Sequence, residues 1–198
     1  MTTKSQLFDT QFLDILIYIG TYIDKDILIM CAELLKEPKE VDIKEVDIKE
    51  EPKSKEVDIK EIHGDLFTTS DETSSLAHCV AKDLGMGKGI AVYFKKKYGG
   101  VSELKAQDPQ IGSMAVLKKD GKYIYYLVTK ARSTGLPTLT DLKRSLIAMK
   151  NHAVQHSVKM ISMPRIGSGL DRLDWNKVKD TIIEVFNDTG IKIRIFWI

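Results

Sequence analysis

From Val57 onward, short apolar runs that read as strands alternate with stretches of helical spacing. This alternation restricts the chain to a layered α/β fold with a central mixed sheet. Ile59 and Ile62 lead into His63-Gly64-Asp65-Leu66 as a strand entering a loop. Residues 75–83 read as a short helix, and 89–97 as a second, ended by Gly99-Gly100. Residues 113–118 and 122–129 are strand-like runs joined by Asp120-Gly121, a strong hairpin signal. Pro137-Thr138-Leu139-Thr140 opens a long helix with Leu142, Leu146, Met149, Ala153 and Val154 on one face and Thr138 or Thr140 as N-cap. A strand at 160–163, a glycine-bearing loop, a helix capped by Asp174 that runs to about Asn187 and ends at Gly190, and a last strand at 191–198 complete the pattern.

Upstream the chain changes character. The pentad Val-Asp-Ile-Lys-Glu occurs at 41–45, 46–50 and 57–61, interrupted by Pro38 and Pro52. A five-residue period matches neither the helical 3.6 nor the strand 2.0, so no continuous apolar face forms. Between Glu33 and Glu61 eleven acidic side chains stand against seven basic ones, the composition of a solvated linker. The expected organisation is an apolar helical segment at 1–36, a charged linker at 37–56 and a folded domain at 57–198. The apolar stretch 7–35 covers too much of each helix for a lone solvated one. Packing on its own domain, self-association or binding of a protein partner would each satisfy it.

With 30 Lys+Arg against 28 Asp+Glu the formal net charge is +2. Such balance argues against a nucleic-acid binder that relies on a concentrated cationic face. Cys31 and Cys79 are the only cysteines, with no CxxC pair. A disulfide framework and a structural zinc site are therefore not expected as organisers, and the compartment is expected to be reducing. The most apolar stretch, 12–23, is too short for a membrane helix and carries Asp14. It also lacks a cationic start and a cleavage site, so the chain is read as soluble and intracellular.

Two loops can bear chemistry. One is Gly85-Met86-Gly87-Lys88-Gly89-Ile90-Ala91, the other Pro164-Arg165-Ile166-Gly167-Ser168-Gly169-Leu170-Asp171. Glycines let backbone amides approach a phosphate, and two such loops facing each other could hold a diphosphate. Taken singly, such loops are more often plain turns. Neither is a Walker A loop. The first is not the dinucleotide fingerprint, because its glycine spacing differs and no opening strand is expected before it. Lys130 closes the run Tyr123-Ile124-Tyr125-Tyr126-Leu127-Val128-Thr129. A lysine at a strand end is ordinarily a solvated charge, and a free one is only about one part in a few thousand neutral at pH 7. To act as a nucleophile it needs desolvation or a cationic neighbour, for which Arg165 is the candidate. His63, His78, His152 and His156 show no ligand spacing, Trp175 and Trp197 read as packing residues, and Lys95-Lys96-Lys97 reads as a solvated helix end without companions.

Together, Gly64-Asp65-Leu66-Phe67, Ser75-Leu76-Ala77-His78-Cys79, Met86-Gly87-x-Gly89-Ile90-Ala91, Tyr125-Tyr126-Leu127-Val128-Thr129-Lys130 and Met163-Pro164-Arg165-Ile166-Gly167-Ser168-Gly169-Leu170-Asp171 occur in that order. The sequence resembles the macrodomains of the terminal ADP-ribose protein glycohydrolase type, also called O-acetyl-ADP-ribose deacetylases, over about 59–198. The resemblance implies a three-layer α/β/α fold and a cleft for ADP-ribose at the strand ends. It implies release of ADP-ribose from glutamate or aspartate side chains of modified proteins and deacylation of O-acyl-ADP-ribose, with no metal and no cofactor. Lys130 takes the position of the lysine nucleophile and Asp171 that of the acid/base carboxylate. Asp65 and Leu66 match the adenosine-side contacts, and Gly87, Gly89 and Ile90 match the first loop. Arg165, Ile166, Gly167, Ser168, Gly169 and Leu170 match the loop around the diphosphate and distal ribose, and Ile198 falls where the C-terminal residue touches the ligand. Ser168 stands where relatives often carry cysteine, and residues 1–56 have no counterpart. The rival readings are a macrodomain that binds ADP-ribose without cleaving it, against which retention of both Lys130 and Asp171 speaks, and an interaction scaffold acting through 7–35. An enzyme of this kind is expected in the nucleus, the cytoplasm or both.

Overall fold

The computed structural model describes residues 56–198, and the expectations for 1–36 and for the linker up to residue 55 lie outside them. Six strands form one sheet in the order β1-β6-β5-β2-β4-β3. They are β1 (Ile59–His63), β2 (Ser75–Ala81), β3 (Ser113–Lys119), β4 (Lys122–Lys130), β5 (Met160–Pro164) and β6 (Lys192–Trp197). All neighbours pair in parallel except β3 with β4, so the sheet is mixed with its one antiparallel strand at an edge.

Helices cover both faces. On one side lie α4 (Leu139–Gln155) and α5 (Trp175–Phe186), whose Leu142, Leu146, Met149, Val178, Ile182 and Phe186 pack on Tyr125, Leu127, Ile161, Met163, Ile193 and Ile195. On the other lie α1 (Leu66–Thr69), α2 (Ile90–Tyr98) and α3 (Val101–Ala106), whose Leu66, Phe94 and Leu104 pack on Leu76, Val80, Leu117, Ile124, Tyr126 and Val128. Adjacent residues of β4, Tyr125 and Tyr126, serve opposite cores, as the two-residue period of a strand requires. This is the expected three-layer α/β/α arrangement.

Local chemistry sets the ends of the elements. Thr138 caps α4 by accepting from the Asp141 amide, and Asp174 caps α5 by accepting from the Asn176 and Lys177 amides. Asp120 and Gly121 both take positive φ, 51° and 77°, the mirror-image turn that follows the strand twist. One expectation fails: residues 75–83 are not a helix, because Ser75–Ala81 is the central strand β2. Flanked by β4 and β5 and covered on both faces, it carries apolar residues at nearly every position and has no two-residue alternation to betray it. Val154, expected on the buried face of α4, is 53% exposed and lies off the stripe that Met149 and Ala153 continue.

Candidate active site

Strands β2 and β5 are neighbours, yet the chain leaves them toward opposite faces of the sheet. After β2 it reaches α2 on one face, and after β5 it reaches α5 on the other. Such a reversal opens a crevice at the carboxyl ends of the strands, between the two loops that leave them. Those are the two glycine-bearing loops. A Cβ built on Gly89 would stand 3.4 Å from Leu170 Cδ1, so the loops meet across the crevice. The first loop does follow a strand, contrary to expectation, although its glycine spacing still departs from the dinucleotide fingerprint.

Lys130 is the last residue of β4, on the other side of β2. It is in register with Ala81, and the Lys82 amide donates to its carbonyl at 2.9 Å. Asp171 lies in the loop after β5, which folds back through bonds from the Leu173 amide to the Gly167 carbonyl at 2.8 Å and from the Arg172 amide to the Gly169 carbonyl at 3.1 Å. The Lys130 ammonium donates to Asp171 Oδ1 at 2.5 Å, with the two side chains only 13% and 14% exposed. Two residues 41 positions apart thus form a nearly dry ion pair at the crevice.

Beside them lies Cys79 of β2, half-buried and not singled out by the sequence. Burial, with the Asp171 charge adding to it, pushes its thiol up to about 12, so it stays protonated. It stands in register with Leu127 of β4, on the strand that separates β4, which carries the lysine, from β5, whose loop carries the carboxylate.

Arg165 does not supply the cationic neighbour expected for Lys130. Its guanidinium donates twice to Glu61 Oε2, at 3.1 and 2.7 Å, while Lys179 donates to Glu61 Oε1 at 2.8 Å. The guanidinium carbon also lies 4.9 Å from the Trp197 ring centroid and 5.6 Å from that of Trp175. The hydrogen bonds from Lys179 and then from Arg165 hold the Glu61 carboxyl below the ordinary glutamate range. What Arg165 gives the loop is its carbonyl, which accepts from Ser168 Oγ at 2.8 Å.

The other expected residues divide by what they present. Gly87, Gly89, Gly169 and Leu170 are exposed along the two loops, with Ile90 and Ser168 half-buried. Ile166 is 3% exposed and belongs to the core, so it can offer a ligand only backbone. Leu66 is likewise buried, while Asp65 is exposed and caps α1 by accepting from the Phe67 and Thr68 amides through Oδ1. Ile198, at the chain end, is 91% exposed and is not drawn to the ion pair by any contact among the described residues.

Comparison with known proteins agrees with this architecture. The macro domain family model matches residues 77–182. The chain is 54% identical over 135 residues to the human "ADP-ribose glycohydrolase OARD1", covering 68% of this chain and 88% of that one. Among solved structures, the macrodomain of Mycobacterium tuberculosis DarG matches with a TM-score of 0.63 and 25% identity, over 70% of this chain and 96% of that one. Thermosipho africanus DarTG in complex with ADP-ribose shares the fold at a TM-score of 0.62 and 18% identity, over 70% of this chain and 41% of that one. The kinship at 54% identity makes the chain a hydrolase. Its family model spans most of the sheet, and its relative is matched over nearly its whole length, so the chain belongs to the macro domain family.

Proposed function

We propose that the protein is an ADP-ribose glycohydrolase that removes mono-ADP-ribose, and the terminal unit that anchors a chain, from glutamate and aspartate side chains, and that also deacylates O-acyl-ADP-ribose. The observation that carries this reading is the nearly dry Lys130–Asp171 pair, with Asp171 in the second of two glycine-bearing loops that meet at Gly89 and Leu170. The activity in the name of the human relative and the ADP-ribose held by the fold-mate support it. The loop amides around Gly87, Gly89, Gly167 and Gly169 would receive the diphosphate, Asp65 and the Leu66 backbone the adenosine, and Lys130 the distal ribose.

The bond to be cleaved joins the anomeric carbon to an acyl oxygen. Its leaving group is a carboxylate, which departs with the bonding electrons and needs no proton. The demanding step is therefore attack at the anomeric carbon, and the resting lysine must first lose a proton. The nearest acceptor is Asp171, already bonded to it at 2.5 Å. The freed amine forms a C–N bond as the C–O bond breaks. Asp171 then assists transfer of a proton from nitrogen to the ring oxygen, opening the sugar to an iminium. Water adds to the iminium carbon, the C–N bond breaks, and the lysine recovers its proton from Asp171. ADP-ribose leaves, and the proton of ester hydrolysis passes to solvent. Holding the substrate at both loops supplies orientation, which removes much of the entropic barrier. The setting for such substrates is the nucleus or cytoplasm.

The test is release of ADP-ribose from a glutamate-linked, mono-ADP-ribosylated protein by the wild type, Lys130→Ala and Asp171→Ala. Both variants are expected to lose at least a hundredfold in rate, the range of a general acid-base or nucleophilic group. Cyanoborohydride added during turnover by the wild type should reduce the iminium and leave a mass increment on Lys130. Tight ADP-ribose binding without release by the wild type would make the protein a reader instead.

A further inference from the structure

Arg165 opens the second glycine-bearing loop directly after β5, yet its side chain leaves that loop for β1 at the edge of the sheet. Its Nε and Nη2 both donate to one oxygen, Oε2 of Glu61, at 3.1 and 2.7 Å. Glu61 is not left without a cation if this partner goes, because its Oε1 accepts from Lys179 of α5 at 2.8 Å. Nor does the loop depend on the contact for its shape. It is closed by its own bonds, from Ser168 Oγ to the Arg165 carbonyl, from the Leu173 amide to the Gly167 carbonyl and from the Arg172 amide to the Gly169 carbonyl. With the carboxylate otherwise paired and the loop otherwise closed, what the Glu61 contact decides is the direction of one guanidinium. Trp197 and Trp175, with ring centroids 4.9 and 5.6 Å from the guanidinium carbon, favour the same direction.

That direction matters at a site for a diphosphate. Under the function proposed above, on which this inference rests, the amides of the same loop receive the diphosphate. A guanidinium rooted there would match phosphate oxygens in both charge and geometry. We propose that Glu61 is a positioning residue that sets the affinity for the ADP-ribosyl group, by holding Arg165 off the diphosphate. The diphosphate is the same in substrate and product, so a contact to it binds both equally. Such a contact lowers KM without speeding the chemistry, and it retains the ADP-ribose that has to leave. An arginine tied to Glu61 keeps the loop from holding its product too tightly.

The test is calorimetric binding of ADP-ribose to the full chain as wild type, Glu61→Gln, Arg165→Met and the double variant. Glutamine keeps the shape and an acceptor oxygen but not the charge, and a thermal melt checks that the fold is kept. Glu61→Gln is expected to bind ADP-ribose about tenfold more tightly than wild type, the low end of what a hydrogen bond to a charged group contributes. The gain should shrink as salt rises. The double variant should bind no more tightly than Arg165→Met alone, because the gain runs through the arginine and not through the general field of the lost charge. In turnover of the mono-modified protein the gain should appear in KM rather than in kcat. A merely structural role for Glu61 predicts binding that is weaker or unchanged in Glu61→Gln, and either result would overturn the proposal. So would a gain that persists in the double variant, or a fall in kcat at unchanged affinity, which would mean that the freed arginine captures Asp171. Failure of the wild type to bind ADP-ribose would count against the proposed function, whereas binding and turnover without a gain in Glu61→Gln would count only against the tether.

Discussion

The Lys130–Asp171 pair allows a quantitative test of how the site is held. At 2.5 Å and an effective dielectric near 20, the gross attraction is about 7 kcal/mol. Side chains 13% and 14% exposed have lost most of their hydration, and desolvation returns several kcal/mol for each ion. The pair as a whole is therefore expected to contribute little net stability, while either partner alone is left as a poorly hydrated charge. Lys130→Met should cost about 2 to 3 kcal/mol, below the range for fully buried pairs because the residual exposure lets water reach the orphaned carboxylate. Asp171→Leu should cost a similar amount. The double variant should cost far less than the sum and fall within about 1 kcal/mol of wild type, so the coupling energy should reach at least about 3 kcal/mol.

The assay is urea unfolding of the four proteins at pH 7, with the midpoint read at constant slope. Costs that add to within about 0.5 kcal/mol would refute the reasoning, because residues in real contact do not behave independently. A double variant as stable as wild type and without turnover would mean that the pair is kept for chemistry, since an apolar plug would hold the crevice equally well.

Other consequences are local. Gly100 adopts φ +67°, and a Cβ there would meet Leu117 Cδ1 at 2.6 Å in a core where Leu117 is fully buried; Gly100→Ala should cost about 2 to 4 kcal/mol in a thermal melt at unchanged fold. Lys179 and then Arg165 depress the Glu61 carboxyl below its usual value near 4.5, so its contribution is complete above that pH and fades as pH falls through the lowered value. Glu61→Gln should therefore lose about 1 kcal/mol at pH 7, and the deficit should shrink below about pH 4.5 in matched urea titrations; a deficit independent of pH would mean that the carboxylate charge is not what is held. Because burial and the Asp171 charge raise the Cys79 thiol to about 12, iodoacetamide at pH 8 should label it far more slowly than a peptide thiol, and Asp171→Asn should speed the labelling as read by peptide mass spectrometry.

What the sequence revealed follows the range of the forces involved. Caps and turns act over two to four residues, which is why Thr138, Asp174 and Asp120-Gly121 stand where their side-chain and φ preferences place them. Strand β2 escaped because Ser-Leu-Ala-His-Cys-Val-Ala is buried on both faces, and a largely apolar stretch of seven residues has no period that separates a central strand from a buried helix. The four-residue α1 and six-residue α3 are too short to show a helical period at all. Losing β2 also hid Cys79, whose place becomes readable only once alternation along that strand is known. Arg165 shows the other limit. Its position in the loop was legible, but the direction of its guanidinium was decided by Glu61, 104 residues away, and by Trp175 and Trp197, whose rings flank it. An arginine in a glycine-bearing loop is the natural choice for a phosphate clamp or a neighbour that depresses a lysine, and here it is paired with a carboxylate it shares with Lys179. Its guanidinium is thereby turned toward Glu61, and the amine of Lys130 keeps Asp171 as its partner. A site built this way can hold a diphosphate by geometry while leaving its one reactive amine paired only to the carboxylate that must take its proton.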